Sequence, residues 1–185
     1  MSDRNIHHFF LALTGVVLAW SLLGCELLLG SDNLVQRISD GDTLTATDPG
    51  GNKIKVRFAC IDAPEVPHSA RERKSRRVAD LSQFKWGERA QKRVEKLVEQ
   101  SGDRVTLTIT DTDRYGRKVA EVRLSDGTLV QEVLVREGLA LVYRPYLKNC
   151  PSADAIEQAE AEAKRRRRGV WSDSKFIEPW DYRKR

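Results

Sequence analysis

Two short stretches of alternating apolar and polar residues constrain this sequence more than any other feature. The first covers 43–47 and the second 54–60, and both keep apolar side chains at every second position. The segment between them, 48–52, reads Asp-Pro-Gly-Gly-Asn, a composition typical of a turn. Because successive side chains of a strand point to opposite faces, the sequence predicts a β-hairpin with one apolar face.

Acidic residues lie at both ends of this hairpin. Asp40 and Asp42 precede its first strand, and their spacing sends both side chains to the same side of an extended segment, about 7 Å apart at Cα. One hard cation could therefore bind both carboxylates. Asp-Gly is also a common hairpin turn, so a purely structural role is the alternative.

The second strand is followed by Asp62-Ala63-Pro64-Glu65. Pro64 lacks a backbone N–H and biases Ala63 away from helix, so the strand is expected to end near Asp62. The Ala63 carbonyl and the Glu65 side chain would then be exposed. A solvated loop is the alternative, but acidic groups at both ends of one hairpin favour a site rich in oxygen ligands.

The rest of the sequence repeats the periodicities of strands and helices. Trp171 and Trp180 are expected to pack the C-terminal tail onto the domain. About five short strands with intervening helices predict an α+β chain built on an OB-type β-barrel, partly open, with about three covering helices. Outside the hairpin, strands are predicted at 34–39, 105–110, 117–124 and 139–143, and helices at 86–100, 130–137 and 152–168.

The chain is basic, with a formal net charge of +5 and a sequence pI of about 9.2, which favours an anionic partner. Residues 66–82 show little apolar periodicity and predict an exposed basic loop, which could contact a phosphate backbone or simply be solvated. Residues 164–168 are consecutive cations. They fit the end of a helix before Gly169 better than a nucleic-acid site, because cations complement the helix dipole there.

The N-terminus has the pattern of a targeting segment. An uncharged apolar run at 9–23 is shorter than the roughly 20 residues that a spanning helix needs, and predicts export. Leu22-Leu23-Gly24-Cys25 resembles a bacterial lipobox, in which case Cys25 would carry lipid and anchor the chain to a membrane. A signal cleaved elsewhere, giving a periplasmic or extracellular protein, and an uncleaved anchor extending to Leu29 are the alternatives. The predicted divisions are a leader at 1–24, a linker at 25–33, the domain at 34–173 and a tail at 174–185.

Export would leave Cys60 and Cys150 in an oxidising compartment. Two cysteines remaining there are expected to form a disulfide, which would tie the second hairpin strand to the C-terminal region. Two buried thiols are the alternative.

The residue types beyond the leader exclude several enzyme classes. His68 is the only histidine left there, which excludes two-histidine ribonuclease chemistry and zinc sites built on several histidines. The sequence has neither a Gly-rich phosphate loop with Lys nor a Gly-x-Ser-x-Gly motif. Carboxylates for a hard cation remain, with Arg57 and Arg117 as candidates for phosphate binding. Arg57 and Asp62 would lie about 16 Å apart on a straight strand, so their meeting would require a strongly coiled one.

Five motifs together resemble the staphylococcal nuclease (thermonuclease) family in order and approximate spacing. The resemblance covers most of 34–173. The motifs are Asp40-Gly41-Asp42-Thr43, the run 57–65, Asp113-Arg114-Tyr115-Gly116-Arg117, the run 132–140, and Gly169-Val170-Trp171. The family often has Thr where Ala63 stands, and the basic loop is longer here than in its smallest members.

The resemblance implies an OB-fold nuclease that depends on one calcium ion. By position, Asp42 and Asp62 resemble the carboxylate ligands of the metal. Ala63 resembles its backbone-carbonyl ligand, and Asp40 resembles an acidic neighbour of the ion. Glu65 resembles the residue that positions or deprotonates the attacking water.

The resemblance also implies how a substrate is held. Arg57 and Arg117 resemble the pair that grips the phosphate, and Arg114, Tyr115 and Tyr143 match positions near the substrate. Cleavage at the 5′ P–O bond would leave 3′-phosphate ends in DNA or RNA. Because phosphate and metal contacts carry no base code, sequence preference should be low and accessible single strands should be cut best. The chain is expected to act as a monomer.

Two non-catalytic functions are the alternatives. A nucleic-acid or peptide-binding barrel would suit the fold, since folds of this type host many functions. A structural envelope lipoprotein would explain the leader and little else. The joint presence of both arginines, both aspartates and Glu65 favours the nuclease, because binding alone would not require that set.

Overall fold

Five strands close into a β-barrel in the computed structural model, which describes residues 32–185. Together with two short strands outside the barrel, the strands of the described residues in chain order are β1 (Asn33–Ile38), β2 (Thr43–Thr47), β3 (Lys53–Phe58), β4 (Ile61–Asp62), β5 (Arg104–Thr112), β6 (Lys118–Arg123) and β7 (Leu141–Val142). The barrel order is β1-β2-β3-β6-β5, and β5 pairs back onto β1. Strands β3 and β6 run parallel, so the predicted five-stranded barrel is a mixed one. It is closed, whereas the sequence predicts a partly open barrel, because Asn33 and Leu34 of β1 pair with the start of β5. The short strands β4 and β7 pair separately.

Three longer helices cover the barrel, and the predicted α+β class is confirmed. The helices are α1 (Ala70–Arg73), α2 (Val78–Gln100), α3 (Val130–Arg136), α4 (Ala153–Arg165) and α5 (Pro179–Tyr182), with 3-10 helices at Arg144–Asn149 and Gly169–Ser172. Within residues 32–185, no helix combines the length and apolar character that a membrane crossing requires. The predicted leader and Cys25 lie outside the described residues.

The predicted hairpin is confirmed as β2 and β3, which pair antiparallel. Their apolar side chains share one face, and Leu44 and Val56 lie opposite each other with no accessible surface. Burial of such a side chain contributes roughly 1.5–3 kcal/mol. A slip of one residue would expose the whole set, so this face fixes the register that places the acidic ends.

Strand β3 ends at Phe58, whereas the sequence predicts an end near Asp62. The chain turns at Ala59 and Cys60, and Cys60 adopts the left-handed conformation with a φ of 73°. Asp62 then belongs to β4, outside the barrel. The prediction is wrong because Pro64 marks only the end of β4, while the turn before it depends on a positive φ at a residue type that gives no turn signal.

The predicted basic loop at 66–82 is partly helical. Its middle forms α1, which begins with a capping box between Ser69 and Glu72. Its last residues form the start of α2, at Val78 instead of the predicted Trp86. The prediction is wrong there because the first turns of α2 bury polar side chains, which apolar periodicity cannot detect. These are Asp80, Ser82 and Gln83.

The C-terminal segments pack onto the domain as predicted. Trp171 and Trp180 are partly buried against the core. Helix α4 ends at Arg165, and Lys164 pairs with Glu160 at 2.9 Å. Gly169 follows with a φ of 54°, a conformation that glycine adopts readily. These contacts support the helix-end interpretation of the cations at 164–168.

Candidate active site

The turn after β3 brings Asp62 back beside Arg57. The backbone reverses at Cys60, whose carbonyl accepts a hydrogen bond from the N–H of Tyr143 at 2.8 Å. A disulfide joins Cys60 to Cys150, with the two Cα atoms 6.0 Å apart, and ties the turn to the C-terminal half. Arg57 therefore meets Asp62 through a turn, and the strongly coiled strand required by the sequence prediction does not occur.

Arg57 joins the two acidic ends of the hairpin. One of its terminal nitrogens donates to Asp42 Oδ1 and the other to Asp62 Oδ1. The two aspartate side chains are only 2% and 1% exposed, while that of Arg57 is 22% exposed. The guanidinium thus binds two buried carboxylates and remains partly open to solvent.

Asp42 is held by backbone groups from two segments. Its Oδ2 accepts a hydrogen bond from the Ala63 N–H at 2.6 Å, and its own N–H donates to Asp40 Oδ1 at 2.9 Å. Burial raises the pKa of Asp42 to about 7; Arg57 opposes this shift and the nearby charge of Asp40 adds to it. Burial therefore favours the neutral form of this carboxyl group, and the contact with Arg57 favours its charged form.

The turn that carries Asp40 and Asp42 packs tightly against α2. A Cβ placed on Gly41 would lie 2.6 Å from Ala90 Cβ and 2.8 Å from Ala63 Cβ, closer than carbon atoms can approach. Glycine at this position lets the turn reach the helix. The structural and the ligand-placing interpretations of the Asp-Gly turn are therefore compatible, since the glycine serves the first and the aspartates the second.

The Glu65 side chain is 23% exposed and lines the same cavity as Arg57. Its N–H donates to Gln83 Oε1 at 3.2 Å. Helix α2 approaches its backbone so closely that a Cβ on Gly87 would lie 2.1 Å from the Glu65 carbonyl oxygen. Its Oε1 accepts a hydrogen bond from Arg183 Nη1 at 2.7 Å. The backbone of Glu65 is thus fixed by α2 and its side chain by the C-terminal tail.

Arg183 also binds Asp62. Its Nη1 donates to Oδ1 at 3.2 Å and its Nη2 donates to Oδ2. Burial raises the pKa of Asp62, and the hydrogen bonds from Arg183 oppose that shift. Nothing in the sequence singles out Arg183, because it lies in an Arg-Lys-Arg run that is typical of a solvated tail.

Gln83 is a second site residue without a sequence signal. It is completely buried, accepts the hydrogen bond from the Glu65 N–H, and donates through Nε2 to the Ile177 carbonyl. It therefore connects the segment of Glu65 to the tail that carries Arg183. A buried glutamine on the helix face interrupts the apolar pattern, so the sequence prediction started α2 after it.

The turn between β5 and β6 carries the predicted phosphate-binding residue Arg117. Its Nε donates to Asp113 Oδ2 at 2.7 Å, and Asp113 Oδ1 accepts from the N–H groups of Tyr115 and Arg117. Partial burial would raise the pKa of Asp113, but the hydrogen bonds from Arg117 and the turn lower it below its usual value. The guanidinium groups of Arg114 and Arg117 lie 4.8 and 5.6 Å from the Tyr115 ring centre.

A cavity of about 780 Å³ brings most of the predicted residues together. Asp42 and Ala63 are buried and do not line the cavity. Asp42 accepts a hydrogen bond from Arg57, which lines the cavity. Tyr143 lines it and stacks on Tyr146, with ring centres 5.6 Å apart. The predicted residues that line the cavity are Asp40, Arg57, Asp62, Glu65, Arg114, Tyr115, Arg117 and Tyr143, with Arg183 in addition.

The donor set around Arg57 suits a hard cation. Asp42 and Asp62 bind the same guanidinium, so their carboxylates lie close together. In the part of the chain that the structure describes, no three His, Cys, Asp or Glu side chains are grouped to hold a metal ion. A cation here would therefore be held by two carboxylates with backbone or water oxygens, a set that fits Ca²⁺ or Mg²⁺ and not zinc.

Comparison with known proteins relates the chain to one enzyme family. The family model described as staphylococcal nuclease homologue matches residues 55–173. A micrococcal nuclease from Shigella flexneri is 34% identical over 158 residues, which cover 81% of this chain and 79% of that protein. An uncharacterized endonuclease from Haemophilus influenzae is 33% identical over 172 residues, with coverages of 93% and 84%. One from Escherichia coli O157:H7 is 28% identical over 176 residues, with coverages of 95% and 97%.

The matched region includes the hairpin strand of Arg57, the turn of Asp62 and Glu65, and the turn of Arg117. It spans more than half of the chain, and the chain covers most of the length of these relatives. The chain therefore belongs to the staphylococcal nuclease family and is an endonuclease of the thermonuclease type, a hydrolase.

Proposed function

We propose that this endonuclease depends on one calcium ion and hydrolyses phosphodiester bonds of DNA or RNA with little sequence preference, leaving 3′-phosphate ends. One observation carries the proposal. Arg57 bridges the buried carboxylates of Asp42 and Asp62 beside a cavity that Glu65 and Arg117 also line. A phosphodiester in that cavity would meet cationic donors and a candidate base together.

The calcium ion would be held by the carboxylates of Asp42 and Asp62 and the backbone carbonyl of Ala63, with Asp40 as an acidic neighbour. Their oxygens match the preference of Ca²⁺, and water completes the six to eight ligands that this ion takes. When bound, Ca²⁺ supplies positive charge that polarises a phosphate oxygen. The shared contact with Arg57 keeps the two carboxylates close together, which supports this role because the barrel need not rearrange to bring them to one ion.

Glu65 would accept a proton from the attacking water. Its carboxylate lines the cavity and is partly exposed, so water can reach it, while Asp42 and Asp62 are nearly inaccessible. Its backbone is fixed by Gln83 and by the close contact with α2, which fixes the point from which the side chain enters the cavity. A positioned general base of this kind contributes about 10²–10⁴-fold to a hydrolysis rate.

Arg57 and Arg117 would bind the oxygens of the phosphodiester. A guanidinium has five N–H donors, so the contacts with Asp42 and Asp62 leave Arg57 further donors for a phosphate. Both arginines are partly exposed and line the same cavity. Negative charge builds on the phosphate oxygens in the transition state, so fixed cationic donors would stabilise it more than the bound substrate.

Arg114, Tyr115 and Tyr143 would contact the rest of the nucleic acid. Tyr115 is 68% exposed, and the partly buried Tyr143 lines the cavity. Aromatic rings that a nucleic acid can reach stack on unpaired bases. Stacking tolerates any base, which agrees with low sequence preference and with better cleavage of single strands. The net charge of +5 would favour association with the phosphate backbone.

The proposal includes export of the enzyme, as a lipid-anchored, periplasmic or extracellular protein. The apolar run at 9–23 supports it, and so does the disulfide between Cys60 and Cys150, because such bonds persist mainly in oxidising compartments.

The function is tested by digesting denatured DNA with the purified chain, first with calcium and then with excess chelator. Cleavage is expected only with calcium. If the products carry 3′-phosphates, a DNA polymerase should extend them only after phosphatase treatment. Cleavage that persists in chelator would overturn the calcium requirement, and direct extension would overturn the predicted ends.

Glu65→Gln tests the proposed base in the same assay. Turnover is expected to fall about 10³-fold while nucleotide binding changes little, because the substitution keeps the size of the side chain and removes its basicity. Glu88→Gln, on the exposed face of α2, is the matched control and should retain full activity. An equal loss of turnover and of nucleotide affinity would count against a base at Glu65.

A further inference from the structure

The C-terminal tail is docked beside the active site by specific contacts. The Tyr182 hydroxyl donates to Asp80 Oδ1 at 3.0 Å, and its ring meets Phe84 edge to face at 6.4 Å. Trp180 lies against Tyr143, with ring centres 5.7 Å apart. Gln83 donates to the Ile177 carbonyl from inside α2. The backbone that carries Arg183 is therefore held in place on one side of the cavity.

Arg183 occupies both oxygens of a proposed metal ligand. It donates to Oδ1 and Oδ2 of Asp62, and Arg57 already donates to the same Oδ1. Arg183 also binds the Glu65 carboxylate at 2.7 Å. A single guanidinium thus links the proposed metal ligand to the proposed base. Its own side chain is 43% exposed, so it can leave this position without opening the core.

A divalent cation and Arg183 would compete for the same carboxylate. A carboxylate has about four lone-pair directions, and on Asp62 three are used by guanidinium N–H groups. A cation bound to Asp62 would also lie next to the charge of Arg183, and like charges at such short distance repel strongly in a partly buried site. Occupation by one therefore disfavours the other.

We propose that Arg183 is a built-in competitor of the active-site cation: the tail neutralises Asp62 and Glu65 in the absence of metal, and cation binding displaces the guanidinium and frees both carboxylates. This inference rests on the proposed function. It predicts that the enzyme binds calcium more weakly than its ligands alone would allow, because only the fraction of molecules with Arg183 withdrawn can accept the ion.

Calcium binding measured by titration calorimetry tests the competition without reference to activity. Arg183→Gln is expected to bind Ca²⁺ about tenfold more tightly than the unchanged chain, because the ion no longer competes with the Arg183 guanidinium for Asp62. Lys184→Gln is the matched control: it removes the same charge from the same tail, but Lys184 contacts Asp181 and not the site. Its affinity should stay within about twofold of the unchanged chain.

Thermal unfolding in chelator, and again in calcium, is the second measurement. Arg183→Gln should melt lower than the unchanged chain in chelator, because Glu65 loses the Arg183 guanidinium and Asp62 keeps only Arg57. It should gain more on addition of calcium, because a tighter ligand stabilises the folded state more. This measurement also verifies that the variant is folded.

The competition is overturned if Arg183→Gln binds calcium no more tightly than the unchanged chain does. If the unchanged chain still binds calcium and cuts DNA, that result leaves the proposed function intact. If neither form binds calcium and neither cuts DNA, the proposed function fails and the competition fails with it. Tighter binding by Lys184→Gln as well would also overturn it, because the effect would then come from net charge.

Discussion

Arg57 and Arg117 line the same cavity, yet the fold holds them in different ways. Arg57 lies on a barrel strand and binds two carboxylates that are almost inaccessible. Arg117 follows an exposed turn and is paired with Asp113, whose side chain is 20% exposed. The difference shows that one of the two cationic groups is part of the folded core, while the other can be adjusted without disturbing it.

This contrast separates stability from catalysis. Loss of Arg57 would leave buried charge without a partner, which costs both folding energy and function. Loss of Arg117 would leave Asp113 without a charged partner, but this carboxylate is already partly exposed to water, so the cost is small. The predictions below test that separation, beginning with the variant for which the largest change is expected.

Arg57→Met is expected to lower both turnover and stability. Asp42 would lose its partner inside the protein, whereas Asp62 would keep Arg183, so the free energy of unfolding should fall by about 3 kcal/mol. Turnover should fall about 10²–10³-fold, as on removal of a transition-state donor. Urea unfolding in chelator and initial rates on denatured DNA measure the two effects. An unchanged unfolding free energy would contradict the structural role of Arg57.

Arg117→Ala should lower turnover by about 10²-fold while changing the free energy of unfolding by less than about 0.5 kcal/mol. Its neighbour Lys118 contacts Thr112 and does not line the cavity, so Lys118→Ala is the matched control and should cut normally. The same rate and unfolding assays apply. Normal cleavage by Arg117→Ala would remove it from the site, and unfolding of this variant would erase the contrast with Arg57.

The smallest effect concerns pH and the Asp113–Arg117 pair. The folded chain lowers the pKa of Asp113, so the pair stabilises the fold above the usual aspartate value of 3.8 and stops doing so as pH falls through the lower folded value. Asp113→Asn keeps the acceptor for the turn N–H groups and removes the charge. At neutral pH this variant should be less stable than the unchanged chain by under about 1 kcal/mol, and the difference should shrink as pH falls below 3.8 and through the lowered pKa of folded Asp113.

Melting temperatures of the unchanged chain and of Asp113→Asn across this pH range measure the difference. A gap between the two that does not shrink as pH falls below 3.8 would show that the charge of Asp113 is not its cause.

Much of the fold could be predicted from local pattern. The alternation around Leu44 and Val56 gave the hairpin, because one face of a strand must be apolar when it closes a barrel. The start of α2 could not be predicted, because the buried residue there, Gln83, is polar. Its hydrogen bonds to Glu65 and Ile177 satisfy its amide in the interior, and apolar periodicity does not detect such a residue.

The candidate site residues that lie close to the hairpin in sequence could be predicted. The motifs around Asp42, Asp62 and Glu65 marked oxygen-rich ends, and the structure places them around Arg57 and its cavity. The contact between Arg57 and Asp62 was expected to need a coiled strand. A turn at Cys60, which has a positive φ, brings the two residues together instead. The pairing of β4 with β7 and the disulfide to Cys150 attach this turn to the C-terminal half.

The sequence by itself determined the barrel class, the apolar face of the hairpin and the chemical type of the site, because periodicity and residue type act through neighbours along the chain. Only the tertiary structure decided that Arg183 lies on Asp62 and Glu65, more than a hundred residues away in sequence. Such a contact depends on how Tyr182, Trp180 and Gln83 dock the tail. Each of these contacts joins residues that are distant in sequence, Tyr182 to Asp80, Trp180 to Tyr143 and Gln83 to Ile177, so no local pattern records it.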